Sequence, residues 1–271
     1  MYLINAINSS TFLEVTALTP CIGFCILGIF KLYIVWTHRR QLTSLIEDLK
    51  DMFPIEDESQ TRFKVSQFLK KTNGVEYPYL YVLFFGMGAF NCFPLCSSIY
   101  EHFYLGMDFK LRLSFYMWYP FKIDTRLIYG LVMTQQWHAG FIAAFCFLAT
   151  DIFLFSVIVL LVMTLTFVSN ELRGMTLRYG DKDLIQLKPL IIIHQKVLEV
   201  ADLTSSVFSI TVLFNFISST AMICFTAFQI TSDGMPVTEL GRYLIFLTHQ
   251  ILQVGTICYL GEMLIDAVGY F

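Results

Sequence analysis

Side chains that could do chemistry are scattered along this sequence, outside the spacings that catalysis requires. Zinc hydrolases carry two histidines one helical turn apart with a glutamate between them, and esterases carry a GxSxG turn. The sequence contains neither pattern and no glycine-rich phosphate loop. Its histidines lie far apart: His38, His102, His138, His194 and His249. We therefore expect no enzyme, no metal site and no cofactor.

The seven cysteines all lie in apolar stretches of the chain. Two pairs are four residues apart, which places each pair on one face of a helix. Thiols inside apolar helices are usually small packing residues, and neither a zinc site nor a disulfide framework is predicted. The cysteines are Cys21, Cys25, Cys92, Cys96, Cys146, Cys224 and Cys258.

Composition places these side chains in a membrane protein. Of the 271 residues, 56% are hydrophobic and only 14% are charged, whereas soluble domains have about 25% charged residues. The formal net charge of -3 argues against a nucleic-acid partner, which requires a strongly basic surface.

Five stretches are long and apolar enough to cross a hydrocarbon core, which takes about 20 helical residues. We predict an all-α, polytopic membrane helix bundle, a single unit over residues 1–271, surrounded by membrane lipid. The predicted spans are 12–36, 79–100, 139–168, 205–230 and 243–268.

The distribution of lysine and arginine predicts the orientation of these spans. Segments 38–78 and 169–204 together carry twelve of them, against five on the other side. The first two segments should therefore be cytoplasmic loops. In the first, "RRQLTSLIEDLKDMFP" has helical spacing and predicts an extension of the first helix that ends at Pro54. In the second, we expect the fourth helix to begin well before the bilayer and to enter it near Ser205.

Four of the ionisable residues in or near the predicted spans need an explanation, since a charge there is costly and usually faces protein or water. Asp151 should pair with a hydroxyl or backbone group, or be protonated; ligand contact is the alternative. Lys31 can extend to the cytoplasmic surface. Glu262 and Asp266, near a cytoplasmic helix end, should be solvated, with a cation-attracting role for Glu262 as the alternative.

Segment 101–138 is predicted to be an extracellular aromatic loop. It contains "LSFYMWYPFKID", which is too apolar for a free loop, and Pro120 interrupts regular structure. It should fold over a pocket as a lid, or pack its rings at the lipid headgroup level. The lid candidates are Tyr116, Trp118, Tyr119 and Phe121, next to Phe115.

Four sequence segments, in this order, resemble the insect odorant receptor family over nearly the whole chain. They are "RRQLTSLIEDLKDMFP", "MWYPFK", "LIIIHQKVLEVADLTSSVFSITVLFNFISSTAMICFTAF" and "QVGTICYLGEMLIDAV". The resemblance implies a seven-helix protein with a cytoplasmic N-terminus in its complete form. It further implies assembly with a shared co-receptor into an odorant-gated cation channel in the plasma membrane of olfactory neuron dendrites.

By the order of these segments, the five spans correspond to the second to sixth helices of the family. We therefore expect this chain to be a fragment that lacks the first helix and the pore-lining last helix. The ligand should be a small, volatile, hydrophobic odorant, bound in the outer half of the bundle. Candidate ligand-binding residues there are Phe90, Phe93, Ser97, Phe141, Phe145, Thr150, Phe214, Ser218, Met222, Phe225, Phe246 and Gln250, with Phe12 and Leu18 of the first span.

Two other functions stay open at this point. A gustatory-type receptor would share the architecture, although "MWYPF" and "HQKVLEVADL" favour the odorant branch. A multispan transporter is the second alternative, and Pro20 and Pro94 do interrupt two spans. Transporters usually have internal repeats, however, and the halves of this sequence do not match.

Overall fold

The computed structural model describes residues 12–104, 106–108, 112–115, 117–175, 181–232 and 237–269. For 12–21, 181–182 and 237–239 it describes the backbone alone. Most of the described residues are helical, as predicted, and the longest connection lies between Tyr104 and Arg126. The helices are α1 (Phe12–Thr37), α2 (Arg39–Met52), α3 (Asp57–Arg62), α4 (Val65–Tyr104), α5 (Arg126–Gly174), α6 (Asp181–Thr231) and α7 (Val237–Gly269).

Four of these helices, α4 to α7, are individually long and apolar enough to cross a membrane. A fifth span is obtained if the bent pair Ile22–Thr37 and Arg39–Met52 is counted as one. Each of the five predicted spans lies within one helix, which confirms the all-α membrane fold class.

The first helix does not continue straight into α2, as the sequence suggested, but bends by 76° at His38. Side chains near the bend bond to the carbonyl groups that a continuous helix would use. The Thr37 hydroxyl donates to the Tyr33 carbonyl at 2.7 Å, and His38 Nδ1 lies 3.1 Å from the Ile34 carbonyl. The Ile34 carbonyl also accepts the His38 amide at 2.9 Å, so these side chains share carbonyl groups with the helix backbone, an arrangement that often bends helices. α2 ends at Met52, two residues before Pro54.

The aromatic loop is shorter than predicted. α4 continues to Tyr104 and α5 begins at Arg126, so residues 126–138 are helical. The Thr125 hydroxyl accepts a hydrogen bond from the Ile128 amide at 3.4 Å, which helps to satisfy the free N-terminus of α5. The predicted segment 188–204 lies in the same continuous helix, α6, as the predicted span 205–230.

The chain forms two compact units. Unit 1 comprises the described residues within 1–30, 79–148 and 214–254, and unit 2 those within 31–78, 149–213 and 255–271. Within unit 1, a buried aromatic cluster joins α1, α4, α5 and α7. The rings of Phe24 and Phe147 stack at 4.8 Å, and those of Tyr79 and His249 stack at 5.5 Å.

Unit 2 contains an ion pair in its interior. Lys31 Nζ on α1 lies 2.6 Å from Asp151 Oδ1 on α5, and the two side chains are 0% and 2% exposed. The expectation that Lys31 extends to the surface was therefore wrong, because Asp151 provides a countercharge nearby. Asp151 does pair within the protein, and one of its partners is a cation, which the sequence analysis did not consider.

Two contacts at the edge of unit 2 involve the predicted cytoplasmic segments. The rings of Phe63 and Phe167 stack at 3.8 Å. Lys196 on α6 donates a hydrogen bond to the Asp48 carboxylate on α2, and this bond raises the pKa of Lys196. Lys196 precedes the predicted span 205–230, so this contact links the two segments predicted to be cytoplasmic.

We predict that Lys31→Met destabilises the protein by about 3–5 kcal/mol, because it leaves Asp151 buried without its countercharge. The double substitution Lys31→Met/Asp151→Leu should recover most of this loss. Thermal unfolding in detergent measures both effects. The control is Glu171→Gln, which removes the partly exposed pair with Arg62 and should cost less than about 1 kcal/mol. A double variant as unstable as the single one would contradict the prediction.

Candidate ligand-binding site

A cavity of about 130 Å³ lies within unit 1, between α1, α4, α5, α7 and the aromatic loop. Most of its surface is apolar, with a few polar side chains, as is typical of small-molecule sites. Its lining residues are Phe24, Cys25, Val82, Leu83, Gly86, Met87, Phe90, Phe115, Met117, Gln135, Gln136, Ala139, Gly140, Ala143, Arg242, Ile245, Phe246 and His249.

Small residues set the shape of the cavity wall. A Cβ atom at Gly86 would lie 2.7 Å from Ile245 Cγ2, so glycine permits the close approach of α4 and α7. A Cβ atom at Gly140 would lie 3.3 Å from Met87 Sδ. The helices are thus near contact at these points, and the cavity opens between the larger side chains.

Arg242 supplies a positive charge to the cavity. Its side chain is 7% exposed, and its guanidinium carbon lies 4.1 Å from the centroid of the Phe90 ring. Nη2 donates a hydrogen bond to the Ser114 carbonyl at 2.9 Å. Because a guanidinium group only donates hydrogen bonds, this part of the cavity favours a ligand atom that accepts them.

His249 lines another part of the cavity and is held by three aromatic rings. It stacks on Tyr79, and its ring centroid lies 6.4 Å from that of Phe24 and 5.9 Å from that of Phe147. These contacts fix the imidazole plane within the buried cluster of unit 1, so the cavity has a rigid aromatic wall.

The aromatic loop covers the cavity through Phe115 and Met117. The Gln136 side chain accepts a hydrogen bond from the Phe115 amide at 3.1 Å and donates one to the Phe115 carbonyl at 3.0 Å. The Phe115 and Phe90 rings lie 5.3 Å apart. The Tyr119 hydroxyl also donates to Gln135 Oε1 at 3.0 Å. The described part of the loop therefore forms a wall of the cavity.

The beginning of this loop is held by an ion pair. Arg112 lies 2.9 Å from Glu101, and its Nη1 donates to the Ser97 hydroxyl at 2.7 Å. The Tyr129 hydroxyl donates to the Arg112 carbonyl at 2.8 Å. These bonds join the ends of α4 and α5 to the loop and position Ser114 and Phe115.

Of the predicted ligand-binding residues, the structure brings Phe90 and Phe246 together in this cavity. Several others contact one another elsewhere in unit 1. Phe214 packs on Phe30 at 4.4 Å and accepts a hydrogen bond from Ser218, while Gln250 donates to Met222 Sδ at 3.9 Å. The lining does not include Phe93, Ser97, Phe141, Phe145 or Phe225.

The remaining predicted positions are distributed more widely. Thr150 belongs to unit 2. Of the lid candidates, Trp118 and Phe121 are 60% and 49% exposed, whereas Tyr119 makes the contact with Gln135. Tyr116 and the side chains of Phe12 and Leu18 lie outside the part that the structure describes.

The polar lining of the cavity was not predicted from the sequence. Arg242 directly precedes the predicted span 243–268 and, like His249, was assigned to no site, and Gln135 and Gln136 were not considered. A usable signal was present, because polar side chains in or beside apolar spans usually face protein or a cavity. Phe115 was noted in the predicted aromatic loop. Nothing in the sequence distinguished Met117, which lies in the same loop, as a cavity residue.

The model of the 7tm Odorant receptor family matches residues 11–270. This chain belongs to the odorant receptor family. The resemblance inferred from the four sequence segments is confirmed, and a family of receptors agrees with the expectation that the chain is not an enzyme.

Two curated odorant receptor relatives come from Drosophila melanogaster. Putative odorant receptor 92a is 28% identical over 272 residues, covering 98% of this chain and 66% of the relative. Odorant receptor 67c is 29% identical over 255 residues, covering 93% of this chain and 63% of the relative. The chain therefore spans about two thirds of the length of these relatives.

Solved structures of an odorant receptor share the fold. The olfactory receptor OR5 from Machilis hrabei matches with a TM-score of 0.79 at 15% identity, covering 98% of this chain and 67% of that one. The same receptor in complex with eugenol matches with a TM-score of 0.78 at 17% identity, covering 96% and 65%. These matches confirm the polytopic helical architecture.

We predict that Gln136→Leu loosens the loop over the cavity, because it removes both hydrogen bonds to Phe115. Amide hydrogen exchange of the full-length receptor should be faster at Ser114, Phe115 and Met117, by about fivefold or more for a loss of about 1 kcal/mol. Gln135→Leu is the control, since Gln135 bonds to the Tyr119 side chain and not to the Phe115 backbone. Unchanged exchange in Gln136→Leu would contradict this account of the loop.

Proposed function

We propose that this protein is the odorant-binding subunit of a ligand-gated cation channel, and that it acts in smell together with a shared co-receptor. Its location is the plasma membrane of olfactory neuron dendrites, where it lies among membrane lipids as a multi-pass protein. Its ligand is a small, volatile, hydrophobic odorant that binds in the unit 1 cavity.

The observation that carries this proposal is the chemistry of the cavity. Phe24, Phe90, Phe115 and Phe246 provide aromatic walls, and Arg242 provides a hydrogen-bond donor. A small apolar molecule with one hydrogen-bond acceptor satisfies both features. The solved relative in complex with eugenol supports a ligand of this size class.

The proposed gating follows from differential binding. An odorant shifts a channel towards its open arrangement only if it binds that arrangement more tightly than the closed one. Because Phe115 and Met117 line the cavity, the position of the aromatic loop changes the contacts that a ligand can make. This loop is therefore the element through which odorant size and shape would affect the equilibrium.

The family assignment supports this proposal over its alternatives. The matching model is that of odorant receptors, which favours the odorant branch over a gustatory-type receptor and over a multispan transporter. Current measurements would also distinguish a channel from a transporter. In a channel, current follows odorant addition without accumulation of a substrate.

The test uses the full-length receptor expressed with the co-receptor. An odorant panel should evoke cation current, and Ala143→Phe should raise the half-maximal odorant concentration by about tenfold or more, because the added ring occupies the cavity. The matched control is Ile142→Phe, since Ile142 is the next residue on α5 and its side chain is 62% exposed. This control should respond like the natural receptor.

Two results would contradict the proposal. Equal odorant sensitivity of Ala143→Phe and the natural receptor, at equal surface expression, would place the odorant outside this cavity. Silence of the surface-expressed complex towards a broad panel would count against the odorant-gated channel itself.

A further inference from the structure

A second cavity, of about 630 Å³, lies within unit 2 and has no part in the proposed function. It is lined by α2, the segment that follows it, the first turns of α4 and part of α5. Its walls are largely apolar and include Leu49, Phe53, Phe68, Phe153 and Met163. Its volume is within the range of about 300–1,000 Å³ that is usual for small-molecule sites.

Two polar side chains from one face of α4 line this cavity. Thr72 and Glu76 are four residues apart, so they are neighbours on the helix surface. The Thr72 side chain is 5% exposed, and its hydroxyl has no hydrogen-bond partner among the described residues. The same holds for the buried Oε1 atom of Glu76.

This arrangement is costly in the absence of a ligand. A buried polar atom without a partner loses its bonds to water and gains none in return. Burial raises the pKa of the Glu76 carboxyl, which lies three residues before the predicted second span. A positively charged partner would relieve this cost, because it stabilises the ionised carboxylate.

We propose that the unit 2 cavity binds an amphiphilic primary amine, with its ammonium group at Glu76 and Thr72 and its hydrocarbon chain against Phe68 and Phe153. An ammonium group donates three hydrogen bonds, which matches an acceptor carboxylate and a neighbouring hydroxyl. Charge-assisted bonds are about twice as strong as neutral ones, so an amine is favoured over an alcohol of the same length.

The lining contains one other charged side chain, that of Lys50. Lys50 is exposed, and the ion pairs among the described residues do not join it to Glu76. The carboxylate is therefore available to a ligand. A fatty acid would be repelled by Glu76 when both groups are ionised, whereas its amine analogue would be attracted.

The experiment uses the full-length receptor in lipid nanodiscs and decylamine that carries a photoreactive diazirine on its chain. After illumination, mass spectrometry should find the label in peptides containing residues 65–76 or 153–163. Excess unlabelled decylamine should remove this labelling, while decanol and decanoic acid at the same concentration should leave most of it. Equal competition by decanol would overturn the proposal.

Substitutions identify the polar partners. Glu76→Gln should reduce the labelled fraction about tenfold, because it removes the charge and keeps the shape. Thr72→Val should reduce the labelled fraction about threefold. If Glu76→Gln does not fold, Thr72→Val alone tests the proposal. Glu58→Gln is the control, since Glu58 is an exposed carboxylate on α3 outside the cavity lining.

Labelling that is unchanged in both Glu76→Gln and Thr72→Val, or that maps to other peptides, would overturn the proposal. Neither odorant nor channel current enters this measurement. A negative labelling result therefore does not count against the odorant-binding function. Equally, a channel that gives no current does not count against the amine site.

Discussion

A polar side chain inside an apolar helix bundle needs a partner, and this constraint governs both units of the receptor. In unit 2 the ion pair of Lys31 and Asp151 joins α1 to α5 where neither side chain reaches water. In unit 1 the constraint acts on Arg242, which contacts the Phe90 ring and the Ser114 carbonyl. Because apolar contacts alone distinguish weakly between one helix rotation and another, these polar contacts fix which faces meet.

The same constraint explains how a loop becomes part of the cavity wall. In the described part of the aromatic loop the backbone forms no helix or sheet, so side chains of the bundle bond to it. Gln136 bonds to both backbone groups of Phe115, and Arg242 bonds to the preceding carbonyl. As a result, two adjacent loop residues are fixed next to the cavity that Arg242 also lines.

Hydropathy predicted the helices well, because an apolar stretch of about 20 residues has few other stable forms in a membrane. It could not predict which face of each helix lines the cavity. Phe90 lines it and Phe93, three residues later, does not, although lipid and pocket are equally apolar surroundings for a phenylalanine. The partner of Asp151 could not be predicted from the sequence either, since Lys31 lies 120 residues away along the chain.

The central claim is that odorants bind in the unit 1 cavity. The most direct measurement is a cryo-electron microscopy structure of the full-length receptor with its co-receptor and an activating odorant. The account predicts ligand density between Phe90 and Phe246, beneath Phe115 and next to Arg242. Density for the odorant at another place in the protein, with this cavity empty, would contradict it.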